Sequence, residues 1–270
     1  MKEHLINFIC RFYFVLIMIF LYIPIAVMMV LSVNDSRSRV VWGGFTLRWY
    51  GQLLTNRQIR EALITTIGLA FLSSAIALLI GTAAAFGMHY MNKRRYAVMM
   101  GLTNIPMLNA DIVTGIALML WFIRFLPLGF TSVLIAHITF NIPYIILAVL
   151  PKIEQMNMSV YEASRDLGAT AAYGFFTTIL PQLSGGILSG FFMAVTMSMD
   201  DFMITYFTKG AGVNTLSTMI YGEIRKGIKP EMYALSTVIF TAVLILLLIV
   251  NYAPSARERA QHRELAEREL

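Results

Sequence analysis

Six stretches of this chain are apolar for long enough to cross a bilayer, and nothing else in the sequence constrains the fold as tightly. A hydrocarbon core needs roughly 20 apolar residues per helix. The stretches 12–33, 63–90, 98–125, 131–150, 185–207 and 233–252 meet that need. Lipid offers no hydrogen bonds, so each stretch must satisfy its own backbone and reads as a helix. The expected fold is all-α integral membrane: six transmembrane helices in one domain over residues 1–270. Composition agrees. Of the 270 residues 58% are hydrophobic and 13% charged, and the mean hydropathy is +0.70. A soluble domain is about half apolar and about a quarter charged.

Several function classes drop out at once. The pI near 9.5 suits nucleic acid in principle, but the basic residues are spread over short loops, where they set topology and meet lipid headgroups. Cys10 is the single cysteine, so no internal disulfide forms. The 18 methionines are scattered and read as adaptable packing rather than metal ligands. The first span follows Lys2 and Arg11, is longer than a secretory apolar core and precedes no small-x-small site. It reads as an uncleaved signal-anchor.

The short basic loop "NKRRY" at 92–96 sets the orientation, because the positive-inside bias is strongest in short loops. It places the N and C termini in the cytoplasm, although 34–61 and 209–231 on the other side also carry Arg and Lys. The tail 255–270 reads as a charged, solvated helix. Arg124 reads as snorkelling to the outer interface, and His137 as a helix-packing residue.

The loop 151–181, "PKIEQMNMSVYEASRDLGATAAYGFFTTILP", is long for a connection between spans. Ser159 and Glu162 form a capping-box pattern at the start of a short helix. Gly168 sits where that helix ends and permits a left-handed turn. A second helical piece, 171–180, is expected to stop at Pro181. Read by itself, the loop is either a folded helix–turn–helix or an amphipathic linker at the membrane surface.

The wording of this loop resembles the EAA motif of binding-protein-dependent ABC-transporter permeases. Glu162, Ala163, Gly168, Ile179, Leu180 and Pro181 match, and Ser164 replaces the usual second Ala. The resemblance implies the type I importer permease fold and a coupling helix that docks on a cytoplasmic ATPase. Glu162, Ala163, Ser164, Gly168, Ile179 and Pro181 are then the ATPase-coupling residues. The 270 residues contain no G-x-x-x-x-G-K-[ST] phosphate loop. On this reading the chain is no enzyme and binds no cofactor, and ATP with Mg belongs to a partner.

Further stretches, "WGGFTLRWYGQLL", "ADIVTGIAL", "AHITFNIPY", "MSMDDFMITYF" and "GIKPEMYALST", are similar to the spermidine/putrescine branch, the PotC-type subunit in particular. Relatives often carry Pro before the Asp of the third span; here Ala110 stands there, with Pro106 a turn earlier. The resemblance implies four kinds of partner: a second permease (PotB-type), two copies of the ATPase (PotA-type), an extracytoplasmic polyamine-binding protein (PotD-type), and the bilayer of a bacterial cytoplasmic membrane.

Carboxylates within spans are costly and mark substrate or ion paths. Asp111, Asp200 and Asp201 are such carboxylates, and separated carboxylates suit a flexible polycation. Trp49 and Tyr50 offer aromatic faces for its ammonium groups near the outer mouth, with Glu223 and Glu231 as weaker candidates there. Neighbours on a helix diverge by about 100°. Asp201 shares its face with Gly190, Ala194, Ser198 and Thr205, and Asp200 with Met193, Thr196, Met203 and Phe207. The small-polar face ranks Asp201 first as pathway-lining, with Asp200 available to a basic residue of the partner permease.

Blander readings stand beside these: hydrogen-bonded structural aspartates, and interfacial-belt aromatics. The competing functions are a permease for another organic cation, an amino acid or a metal; a channel or secondary carrier; and an intramembrane aspartyl protease using Asp111 and Asp200. The last lacks the expected glycine-rich G-x-G-D setting.

Overall fold

The computed structural model describes residues 2–252 apart from Arg37, Arg39 and Ile228; the tail 255–270 lies outside the described residues. Twelve helices follow one another among them: α1 (Lys2–Ser32), α2 (Arg48–Thr55), α3 (Arg57–His89), α4 (Lys93–Leu108), α5 (Asp111–Phe122), α6 (Phe130–Glu154), α7 (Met158–Asp166), α8 (Ala171–Gly174), α9 (Leu180–Asp200), α10 (Met203–Thr208), α11 (Leu216–Lys226) and α12 (Pro230–Tyr252). A π-helical turn over Phe175–Ile179 joins α8 to α9. Four helical segments are long and apolar enough to cross a membrane: Cys10–Ser32, Arg57–His89, Phe130–Glu154 and Ala171–Asp200. The pair α4 and α5 makes a fifth if taken together, and a shorter apolar stretch lies in α12. This is compatible with six spans.

Two of the expected continuous spans are broken. The third, expected over 98–125, bends by 104° between α4 and α5. The bend falls at Asn109 and Ala110, whose backbones are extended; Pro106 lies inside α4 and does not end it. The fifth, expected over 185–207, stops at Asp200 and restarts at Met203.

The helices form two compact units, one of residues up to Asn56 with those from Glu223 onward, the other Arg57–Gly222. In the first, α1 and α2 pack on α12. Buried Asn34 ties the loop after α1. Its Oδ1 accepts from the backbone N–H of Gly43 (2.8 Å) and Ser36 (3.1 Å), and its Nδ2 donates to the carbonyl of Val41 (2.9 Å).

In the second unit α3, α6 and α9 pack pairwise around Ala77, Met88, Ile145, Val149, Leu183 and Ala194. Small residues let the backbones approach, as expected where lipid removes the hydrophobic drive between helices. A Cβ on Gly81 of α3 would stand 2.8 Å from Ile145 Cγ2 and 3.3 Å from the Ile142 carbonyl oxygen. A second cluster of Phe122, Ala136, Phe140 and Ile204 joins α5, α6 and α10.

The loop 151–181 is folded, with two departures from expectation. Asn157, not the Ser159–Glu162 box, caps α7: its Oδ1 accepts from the Ser159 N–H at 3.0 Å. Pro181 does not end a helix. It occupies the first turn of α9, because in the π-turn ahead of it the Leu180 N–H bonds five residues back to the Phe175 carbonyl. The wider turn relieves the clash of a mid-helix proline ring with the preceding carbonyl. Gly168 has φ of +89°, the left-handed turn that glycine adopts without strain.

Gly81→Leu should therefore force α3 from α6 and cost about 1–3 kcal/mol. Gly68→Ala, with open space at its Cβ, should be neutral or gain up to about 1 kcal/mol of helix propensity. Thermal unfolding midpoints in detergent check both; equal midpoints for the two variants would contradict the close helix contact.

Candidate functional site

The break in the fifth span is built around Asp201. Its side chain is 5% exposed and caps the following helix. Oδ1 accepts from the Ile204 N–H (3.1 Å), and Oδ2 accepts from the Thr205 N–H (2.8 Å) and the Thr205 hydroxyl (2.7 Å). A carboxylate accepting backbone N–H groups at a helix start satisfies donors that the helix leaves orphaned. The Asp201 backbone is extended, with ψ of 128°, so α10 leaves the line of α9.

His137 of α6, 1% exposed, lies behind this cap. Its Nε2 is 2.8 Å from Thr205 Oγ1 and 3.4 Å from Asp201 Oδ2, and its Nδ1 is 2.6 Å from Ser198 Oγ. Ser198 Oγ is 3.3 Å from Ser73 Oγ of α3, which accepts from Asn141 Nδ2 at 3.4 Å. The chain thus runs from Asn141 through Ser73, Ser198, His137 and Thr205 to Asp201. Its two ends have fixed directions: Asn141 Nδ2 donates to Ser73 Oγ, and Thr205 Oγ1 donates to Asp201 Oδ2. Ser73 Oγ is also within reach of the Ala70 carbonyl at 3.3 Å. Buried polar groups linked in this way hold one packing arrangement.

Asp200, one residue earlier, has the opposite surroundings. It is exposed and makes no hydrogen bond or ion pair with the described residues. Asp111 is likewise exposed, at the first position of α5 just past the 104° bend. One turn on, Gly115 faces α10: a Cβ there would stand 3.1 Å from the Met203 carbonyl oxygen and 3.2 Å from the Phe207 ring. The close packing of α5 on α10 thus brings the Asp111 helix against the broken fifth span.

Other expected site residues have partners of their own. Trp49 is 3% exposed. Its Nε1 donates to the Asn34 carbonyl at 2.8 Å, and the Arg48 guanidinium sits 4.4 Å from its ring centroid. Its indole is a core element whose ring already faces a cation. The Tyr50 hydroxyl is 2.7 Å from Ser32 Oγ. Glu231 accepts from Asn56 Nδ2 at 3.3 Å. Glu223 meets Lys229 at 2.9 Å and Lys226 at 3.5 Å. The hydrogen bond from Lys229 holds the Glu223 carboxyl below its ordinary range, and the same bond raises the Lys229 ammonium. Among the described residues no group of three or more His, Cys, Asp or Glu is placed to hold a metal.

At the other end of α8–α9 the coupling candidates gather around Gly168. Glu162, Ala163 and Ser164 lie on α7. Ser164 and Gly168 line an open cavity of about 550 Å³ with Leu167, Ala169, Thr170 and Tyr173. The Arg165 guanidinium donates to the Ala169 carbonyl at 2.7 Å and fixes the turn. Gly174 lets α8 lie against Tyr161 and Ser164, where an added Cβ would meet ring and hydroxyl at 3.0 and 3.1 Å. Ile179 is buried, in the π-turn, and Pro181 follows in α9.

The long apolar helices define an integral membrane protein. Comparison with known proteins makes the assignment specific: residues 77–256 match the family "Binding-protein-dependent transport system inner membrane component", and this chain belongs to that family. It is a permease subunit and not itself an enzyme. It is 31% identical over 258 residues to the putrescine transport system permease protein PotI of Escherichia coli (strain K12), covering 91% of this chain and 90% of the relative. It is 32% identical over 243 residues to the spermidine/putrescine transport system permease protein PotC of the same organism, covering 90% and 91%. Among solved structures, a bacterial ABC transporter that imports the polysaccharide alginate shares the fold with a TM-score of 0.66 at 16% identity, over 92% of this chain and 93% of that one. The MetNI methionine ABC transporter gives 0.55 at 17% identity, over 76% and 98%.

The polar chain through His137 sets a clear expectation. His137→Phe keeps a ring but leaves the Ser198 and Thr205 hydroxyls short of a partner, which should cost about 1–3 kcal/mol. The thermal midpoint of the purified protein should fall accordingly; an unchanged midpoint would show that the network contributes nothing.

Proposed function

We propose that this chain is the permease subunit of an ATP-driven importer for polyamines, putrescine or spermidine, in a bacterial cytoplasmic membrane. One observation carries the substrate class: identity of about one third, over nine-tenths of the chain, with permeases named for putrescine and for spermidine/putrescine. The exposed carboxylates of Asp111 and Asp200 at two broken spans, without an ion-pair partner among the described residues, fit a flexible polycation better than an anion. They also fit it better than the single fixed charge of most amino acids.

The mechanism is alternating access. A loaded extracytoplasmic binding protein of the PotD type docks on the outer face. Two ATPase copies of the PotA type close on ATP and Mg. The α7 helix, ending at Gly168, takes up their motion, and the cavity shared with a PotB-type second permease opens. The ammonium groups pass to Asp111 and Asp200 before release inside. The N and C termini lie in the cytoplasm, on the side of "NKRRY" and the 151–181 loop. Asp201 acts here as the cap that makes the break, so Asp200 leads as the contact for substrate. Trp49, Tyr50, Glu223 and Glu231 shape the unit that carries them and are left a minor share in the route.

Two measurements test this reading, both on labelled putrescine and spermidine uptake by cells expressing the chain with its partner subunits and lacking other polyamine importers. Asp200→Asn should lower uptake at least about tenfold with unchanged membrane abundance, since a charge-assisted contact is worth roughly 1.5–3 kcal/mol. Asp201→Asn should act mainly through stability. Full uptake by Asp200→Asn would remove that residue from the route. Gly168→Val meets no steric neighbour but forces a β-branched residue into a left-handed turn, at about 1–2 kcal/mol. It should uncouple ATP hydrolysis from uptake in a normally abundant complex, and normal uptake per ATP would refute the lever role.

A further inference from the structure

The break that frees Asp200 also gathers three aromatic rings that the sequence does not mark as a group. Phe202 immediately precedes α10, and Tyr206 lies one turn later on the same face, with its N–H bonded to the Phe202 carbonyl at 2.8 Å. Tyr221 comes from α11. It is placed by Ser217, one turn earlier, whose hydroxyl donates to the Asp201 carbonyl at 2.8 Å. All three pairs of rings touch. Centroids are 4.6 Å apart for Phe202 and Tyr221, 5.4 Å for Phe202 and Tyr206, and 5.8 Å for Tyr206 and Tyr221.

Simple core packing would bury these rings. Instead Tyr206 is 40% and Tyr221 38% exposed, and the Tyr206 hydroxyl makes no hydrogen bond with the described residues. The nearby cation of α10's C-terminal end, Lys209, is engaged by Asn214 Oδ1 at 2.7 Å. Phe202 is two positions beyond Asp200, so their Cα atoms are at most about 7 Å apart, and a carboxylate without a partner among the described residues shares one neighbourhood with the ring cluster.

We infer that Phe202, Tyr206 and Tyr221, with the carboxylate of Asp200, form an ammonium-binding subsite at the interruption of the fifth span. The ring faces carry negative electrostatic potential and attract an alkylammonium group, most strongly where water is excluded. The carboxylate supplies the full charge, and the rings supply apolar surface for the methylene groups beside the ammonium. The subsite rests on the polyamine reading of the substrate. It adds to that reading a place where one end of the chain-like cation is held while the other is handed on.

The test uses the complete complex in proteoliposomes with its binding protein, reading labelled putrescine and spermidine imported per ATP hydrolysed. Tyr206→Phe should stay within about twofold of wild type, and Tyr206→Leu should fall roughly five- to tenfold. With trifluoro- and pentafluorophenylalanine at position 206, import should decline in step with fluorination relative to Phe. Ring size is nearly constant in that series while the attraction for cations fades, and a packing role would give a flat response. Membrane abundance should stay constant throughout. A flat fluorination series, or a Leu variant that imports like wild type, overturns the aromatic subsite while leaving the polyamine reading in place. A wild-type complex that imports neither polyamine overturns both.

Discussion

The cap that Asp201 places on α10 is the interaction on which the rest of the site depends. A carboxylate inside an apolar segment is tolerable only if donors surround it, and this one has three at hydrogen-bond distance, from Ile204 and Thr205. The same bonds cover backbone N–H groups that a broken helix would otherwise expose to lipid, at several kcal/mol each in a medium without water. One side chain therefore solves two desolvation problems together. Without it the fifth span would have every reason to continue as a helix, and Asp200, α5 and the aromatic rings would stand in other relations.

The small residues around the break are the second condition. Gly115 lets α5 approach α10 to within a methyl group's width of its backbone, and the small side chain of Ser198 meets the imidazole of His137 directly. In a lipid-facing bundle, close approach and interhelical hydrogen bonds are the chief means of fixing one helix against another. The hydrogen-bonded chain from Asn141 to Asp201 does this across α3, α6, α9 and α10. Among the described residues, Asn141 Oδ1 at the start of that chain and Ser74 Oγ of α3 are buried without a partner.

What the sequence made legible follows from what is local. Hydropathy marks spans because each must satisfy itself, and the α7–Gly168 turn is visible because only glycine takes that backbone readily. The break at 201–202 was hidden. No glycine or proline announces it, and the capping donors lie downstream in a run that also reads as helix. Pro181 misled for the converse reason, since a π-turn five residues long removes the conflict that a proline normally signals. Counting faces put Asp201 with Gly190, Ala194, Ser198 and Thr205; Thr205 does bond the carboxylate and Ser198 reaches it through His137, while Gly190 packs on Ala148 and Ile145, and counting could not tell a lined cavity from a filled one. His137, on another helix, fills it. Trp49 read as an outer-mouth aromatic because its bond to the Asn34 carbonyl, 15 positions earlier, is not a local feature. No sequence pattern joins Phe202 and Tyr206 to Tyr221, which needs the Ser217 tether to reach them.

The run Ala171–Asp200 is helical throughout, about 45 Å at 1.5 Å per residue, with the folded loop at one end and the break at the other. Its one irregularity, the π-turn, is held by buried Ile179 and by Phe175 against Phe86 at 5.8 Å. A stiff rod braced near its start delivers displacement at its far end with little lost to bending. A flexible connection at Asp201 would waste that displacement. The capped break is rigid, because the donors to its carboxylate are engaged, and Ser217 ties α11 to the same point. Under the proposed function, motion of the 151–181 loop therefore carries Asp200 and the neighbouring aromatic rings together and keeps the spacing between them.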